Sequence, residues 1–419
     1  MPDRRLWHQL RRGGHKVATT LWRRVPPILR QRFFHTAVAH FRPRLSEVSP
    51  DVLGDDTVPR IVAGLLSSPS GLGQSARLAA AALKGMGFRV HGIDLSPFFY
   101  EGAGAIEHGL PDGRGCAGTG HLVLVVNAPY AAYALQMLGR RFVDAKYVTG
   151  YWAWELPGLP ENWRRGFSAV HDIVAPSTFT ASAISSFAPS ARVRIAPHPV
   201  ALTLPLRDHY RGGDTFTVLS AVNIASGFTR KNPCALVRAF KRAFGDSSSV
   251  QLKLLITNAD QYLAAQTEIR AAIGTASNIH VAWEAMAPKQ LLHWWQSGDA
   301  YAALHRSEGF GLPLAEALCA GLPTVGTGWS GNMEFMTEEN SHPIRFSPVD
   351  VCDPQFKYPS NLGQWAEPDE EHAAAALSHI MANRAEAEHK AMAGAAATRA
   401  QLSGEAFVHA LLGMRASQM

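Results

Sequence analysis

Two glutamates eight residues apart, Glu308 and Glu316, lie in the run SEGFGLPLAEALCAGLP (307–323). An apolar run ends near Arg306, glycines follow at 309 and 311, and Pro313 can open a helix. Proline at the first helical position leaves no amide wasted, because the first N–H groups of a helix have no internal partner. Glycine lets backbone approach a ligand closely. The amides of Phe310, Gly311 and Leu312 would then point out of a helix N-terminus, where an anion is favoured. The two carboxylates reach the same loop-plus-helix site from two directions. A carboxylate accepts strong hydrogen bonds from a diol, so the pattern fits a polyol carrying an anionic group.

The elements needed to hold such a site recur along the chain. RIVAGLL (60–66), FRVHGID (88–94), HLVLVVNA (121–128), KYVTGYW (146–152), DIVAPS (172–177) and VRIAPHPV (193–200) read as buried strands with helical stretches between them. FTVLSAVN (216–223), LKLLITNA (252–259), NIHVAWE (278–284), AYAALHR (300–306) and LPTVGTG (322–328) repeat the alternation, with PCALVRAFKRAF (233–244) as a helix opened by Pro233. Alternating strands and helices make parallel α/β sheets. Two such halves predict two doubly wound, Rossmann-like domains facing a cleft, at 58–205 and 214–370, with C-terminal helices over 371–419. Residues 45–58 and 202–214 read as linkers, and 1–57 as an arm plus linker.

Composition narrows the class. The 419 residues are 47% hydrophobic and 18% charged, which excludes wholesale disorder and a long coiled coil. The sequence holds no run of 18 apolar residues, so no membrane-spanning helix is expected. Cys116, Cys234, Cys319 and Cys352 form no CxxC pair, so a reducing cytoplasm is expected and a zinc ribbon is not. The net charge of +6 hides a division: residues 1–44 carry eleven Lys/Arg and one acid, net +10, leaving −4 for the rest. Trp7, Leu10, Trp22, Phe33 and Phe34 are interleaved with those arginines. Such an arm suits the anionic inner face of a membrane, as a peripheral contact. The plain alternative is a solvated arm. Nucleic acid is not expected as a partner.

The segment EGFGLPLAEALCAGLP, followed by a strand and GWSGNMEF, resembles the donor site of family-4 glycosyltransferases of the GT-B fold. GYWAWELPGLPENW (150–163), VHDIVAPSTFTASAI (170–184) and TRKNPCALVRAFKRAF (229–244) resemble a bacterial subgroup acting on surface polysaccharides. The resemblance covers residues 58–345. It implies transfer of a sugar from a nucleotide-diphosphate sugar to an acceptor hydroxyl on a lipid-linked or growing polysaccharide, with retention of configuration. No cofactor and no metal are expected. It implies that Glu308 contacts the transferred sugar and Glu316 the ribose hydroxyls. The backbone from Gly309 to Leu312 would face sugar and diphosphate.

The resemblance also places a lysine against the diphosphate, and Lys231 fits it. The arginine usual five residues earlier is Ser226 here, so Arg230 is the candidate replacement. Ser330, Gly331 and Asn332 are expected to line the donor pocket, with Glu334 a surface acid or a support behind it. Gly71 and Gly73 either face the donor across the cleft or only make a tight turn. Trp152 and Glu155 are acceptor-side candidates, the tryptophans alternatively packing the core. His121, His198 and His305 read as structural. The alternatives are a sugar-nucleotide epimerase of the same fold and a catalytically degenerate glycan-binding subunit.

Overall fold

The computed structural model describes residues 45–99, 106–206 and 215–414. The basic arm at 1–44 lies outside them, as do 207–214 of the second expected linker. In the first lobe β1 (Arg60–Gly64), α1 (Gly71–Gly85), β2 (Val90–Asp94), β3 (Gly120–Val125), α2 (Ala128–Leu138), β4 (Lys146–Tyr151), β5 (Asp172–Ala175), α3 (Thr178–Phe187) and β6 (Val193–Ile195) follow one another. The strands form one sheet in the order β2-β1-β3-β4-β5-β6, parallel throughout. Strands β1, β3, β4 and β5 are buried along their whole length, as expected of a sheet covered by helices on both faces.

The second lobe runs β7 (Phe216–Asn223), the short α4 (Phe228–Lys231), α5 (Pro233–Phe244), β8 (Val250–Thr257), α6 (Leu263–Ile273), β9 (Ile279–Ala282), α7 (Pro288–Gln296), β10 (Ala300–Ala303), α8 (Leu312–Cys319), β11 (Thr324–Thr327) and β12 (His342–Ile344). Its sheet order is β12-β11-β10-β7-β8-β9, again parallel. The winding direction reverses between β7 and β10. In open parallel sheets the crevice beyond the carboxyl ends of two such strands is where a ligand fits.

Three pieces after residue 345 were not all foreseen. An antiparallel hairpin, β13 (Phe346–Asp350) and β14 (Gln364–Pro368), and its connecting loop reach into the first lobe. Val351, Tyr358 and Trp365 are buried in the same apolar cluster as Trp154, Leu156, Leu159 and Trp163. The helices α9 (Glu370–Ala382), α10 (Arg384–Gln401) and α11 (Gly404–Leu412) then split between the lobes. Ala373, Leu377 and Ile380 of α9 pack with Leu236 and Phe240 of α5, whereas Phe407, Val408 and Leu411 of α11 pack with Val62, Leu83 and Val123. The Arg399 guanidinium of α10 donates to the carbonyls of Ala201 and Cys319, 3.1 and 2.9 Å away.

The expected linker at 45–58 is not a loose connection. Pro50–Leu53 forms a 3-10 turn with Leu53 buried, and Arg60 donates to the carbonyls of Val52, Leu53 and Asp55 at 2.8 to 3.0 Å. A buried guanidinium must spend its donors on some acceptor, and this turn supplies them.

Candidate active site

Lys231 and Glu308 come from the two strands that flank the reversal. β7 ends at Asn223, and α4 carries Arg230 and Lys231 before Asn232 breaks it in the left-handed conformation (φ 48°). β10 ends at Ala303, and the chain runs through Glu308 to Gly311, whose φ of 93° suits glycine. The crevice between them is lined by Ser220, Lys231, Tyr301, His305, Glu308 and Gly311 among others.

Glu308 is nearly buried, and both its oxygens are claimed. The Lys231 ammonium donates to Oε1, and Arg230 Nη1 stands 3.1 Å from Oε2. Burial alone would raise the Glu308 carboxyl, but the two cations outweigh it and hold the group at about 2. The Lys231 ammonium is lowered, by burial first and by Arg230 also, with Glu308 opposing. The two cations face two carboxylates, since Glu155 Oε1 also stands 3.9 Å from Arg230.

Arg230 is not open to the crevice. Its side chain is 2% exposed, and it donates to the carbonyls of Ser307 (2.5 Å) and Ser226 (2.9 Å) while lying over the Tyr358 ring (5.5 Å). Burial works against its charge, yet Tyr358, Glu308 and Glu155 together raise its affinity for the proton. The expected stand-in for the arginine at 226 is therefore placed behind Glu308. Its carbonyl partner Ser226 occupies the very position where that arginine would have been.

The amides of Gly309, Phe310, Gly311 and Leu312 donate to no described residue, and α8 begins at Leu312. Those of Gly311 and Leu312 are the free donors expected of a helix start, and those of Gly309 and Phe310 precede it. The Phe310 ring turns inward, packed against His198 (4.8 Å) and Phe335 (4.9 Å). Glu316, in α8, has no hydrogen bond or ion pair to its carboxylate among the described residues. Burial pushes it up to about 7.

Several expected ligand groups turn out to be braces. Ser330 Oγ accepts from the Glu308 amide (2.8 Å), and the Gly331 amide donates to the Glu308 carbonyl (2.9 Å). A Cβ on Gly331 would stand 2.2 Å from the Gly309 carbonyl oxygen. Asn332 is fully buried and donates to the Thr327 carbonyl (2.9 Å). Ser330 and Gly331 thus hold the Glu308 loop from behind, Asn332 ties its own turn to the end of β11, and none of the three is among the residues lining this crevice. Glu334 accepts from the Thr178 amide of the first lobe at 2.7 Å.

On the first lobe, Gly71 and Gly73 are not a loop but the first turn of α1, capped by Ser70 Oγ on the Gly73 amide (3.2 Å). Gly73 is required for packing, since a Cβ there would meet the Ser68 carbonyl at 2.3 Å; Gly71 faces open space. Trp152 is a correction as well. Its ring is fully buried against Trp163 (5.8 Å) and Phe167 (5.2 Å), because the chain after β4 dips into the core before reaching the cleft. Glu155 does reach the cleft, 22% exposed, with Oε1 3.9 Å from Arg230.

The histidines divide. His121 Nε2 pairs with Thr149 Oγ1 (2.9 Å) in the core. His198 pairs with Tyr151 (2.8 Å), and burial lowers it to about 3. His305 is buried, and neither ring nitrogen has a partner among the described residues; burial lowers it to about 4. Ser177, Ser307 and Tyr358, which shape the site, carried no signal in the spacing of the sequence.

Twin parallel Rossmann-like lobes closing on this crevice are the GT-B fold. Residues 219–344, within the second lobe, match the family described as glycosyl transferases group 1. Among solved structures, Anabaena Alr3699/HepE, in complex with UDP and glucose, is similar at 12% identity and a TM-score of 0.59, over 84% of this chain and 97% of that one. A UDP-forming alpha,alpha-trehalose-phosphate synthase from Burkholderia xenovorans is similar at 12% identity and 0.52, over 70% and 73%. S. aureus TarM, in complex with Fondaparinux, alpha-GlcNAc-glycerol and UDP, gives 8% and 0.51, over 70% of this chain but only 55% of TarM. No curated protein matches by sequence.

Proposed function

We propose that this protein is a glycosyltransferase that moves a sugar from a nucleotide-diphosphate sugar to the hydroxyl of a glycan or lipid-linked acceptor. The observation that carries the proposal is the meeting of Lys231, Glu308 and the free amides of 309–312 at the point where the sheet reverses. UDP is the first choice of nucleotide, because the similar structures above are named with it.

In this reading the diphosphate lies against Lys231 and the open amides of α8. As the glycosidic bond breaks, negative charge grows on the leaving diphosphate, and fixed donors aimed at it lower the barrier. The Lys231 ammonium exchanges its bond to Glu308 for one to phosphate. The freed Glu308 oxygen accepts from a sugar hydroxyl, while Arg230 keeps the carboxylate ionised and in place. Glu316 accepts from the ribose hydroxyls. Glu155, a half-buried carboxylate that the first lobe brings near Arg230, orients the acceptor hydroxyl. Transfer with retention and without a metal belongs to the same proposal, the cations taking a metal's part. So does peripheral contact of residues 1–44 with the inner face of a membrane. No helix among the described residues is long and apolar enough to cross one.

The test is release of nucleoside diphosphate from UDP-, GDP-, ADP- and dTDP-sugars, with and without a lipid-linked glycan acceptor. Turnover that rises with acceptor is expected. Turnover indifferent to acceptor, or none with any donor, refutes the proposal.

A further inference from the structure

The residues on either side of Glu308 are both fastened to the first lobe. Ser307 Oγ donates to the Glu155 carbonyl at 2.6 Å, and the Gly309 carbonyl accepts from Ser177 Oγ at 2.6 Å. Both serines are fully buried. Ser177 sits just beyond β5, and Glu155 beyond β4, so the two anchors belong to neighbouring strands of the first sheet. Thr180 Oγ1 links them by donating to the Trp154 carbonyl (3.0 Å). Gly309 lies so close to Trp154 that a Cβ would meet its carbonyl oxygen at 3.1 Å.

We infer that Ser177 and Ser307 are positioning residues, through which the first lobe sets the place of the Glu308 carboxylate. A hydroxyl–carbonyl bond at this distance is near the optimum for O–H···O, and each is sheltered from water. Two such bonds bracketing one residue fix its peptide on both sides. The first lobe therefore registers the sugar-contacting group directly, and through it the Lys231 ammonium that Glu308 holds. The inference rests on the donor-site reading above, and it assigns the two ligand halves unequal dependencies. Binding of the diphosphate, which the backbone of α4 also positions through Lys231, should suffer less from loss of the bracket than the chemical step.

The experiment uses the full chain and compares Ser177→Ala, Ser307→Ala, the double variant and Ser177→Thr. UDP affinity is measured by calorimetry, kcat and KM with UDP-glucose, and amide hydrogen exchange over residues 307–311. Each alanine should lower kcat roughly tenfold, the effect of one lost hydrogen bond on a barrier. UDP affinity should fall by clearly less than kcat does. Exchange at 307–311 should speed up, and Ser177→Thr, which keeps the hydroxyl, should restore most of the rate. A kcat that does not change overturns the inference, as does a parallel loss of UDP affinity. If the unaltered protein does not turn over UDP-glucose, the donor reading fails for that sugar, and exchange still decides the bracket. Unchanged exchange at 307–311 in the double variant overturns it.

Discussion

Glu308→Gln removes the one carboxylate that faces two buried cations, and the consequence for stability can be worked out. Lys231 and Arg230 hold the Glu308 carboxyl at about 2 against an ordinary 4.5. A folded value below the unfolded one stabilises the fold above the unfolded value and is lost as pH falls through the folded one. The difference corresponds to on the order of 3 kcal/mol, fully present above pH ~5. At pH 3 the same titration leaves on the order of 1 kcal/mol. The variant should therefore be less stable than the parent by on the order of 3 kcal/mol at pH 7, a figure that also fits the penalty for breaking a buried pair. Denaturant titrations of both proteins at pH 7, 5 and 3 measure it. The gap should narrow as the solution is acidified and nearly close at pH 2. A gap that stays constant with pH, or is absent at pH 7, refutes the assignment of Glu308 as the counter-charge of Lys231 and Arg230. Turnover of the nucleotide sugar should fall more than tenfold in the same variant.

Three other perturbations address the rest of the site. Lys231→Met should weaken UDP binding by calorimetry about 10- to 100-fold, the range of charge-assisted hydrogen bonds. Glu316, pushed up to about 7, should make UDP affinity rise about tenfold between pH 6 and 8 as it ionises and becomes the better acceptor. Glu316→Gln should flatten that profile. Gly331→Ala places a methyl 2.2 Å from the Gly309 carbonyl, so it should cost about 1–3 kcal/mol of stability and most of the turnover, read by a melt and a donor-release assay.

The strands, the first-turn proline of α5 and the turn into α8 were legible because each is signalled locally, by an apolar run, a glycine or a proline. Glu308 was marked out by the same glycines and proline, whereas Lys231 was reached only through the family resemblance. What escaped depends on atoms distant in sequence. Nothing near Arg230 tells that the carbonyls of Ser226 and Ser307 and the ring of Tyr358 enclose it. A tryptophan after a strand can stack on a sugar or fill a core, and only the positions of Trp163 and Phe167 decide for Trp152. The loop look of SPSGLG concealed a helix start, since Ser70 caps glycines that hardly favour a helix by themselves. The hairpin at 346–368 gave no alternation long enough to read, and a proline stands in each strand.

Because Tyr358, Trp365 and the last helix are built into the first lobe, the chain cannot be divided at a single point into two independent pieces. A fragment stopping at residue 206 would leave Val62, Leu83, Trp154 and Trp163 without the side chains that cover them. A hybrid protein that borrows a foreign first lobe must therefore import the matching hairpin loop and terminal helix with it. In inheritance, too, a change of first lobe is tied to change in chain segments some two hundred residues away.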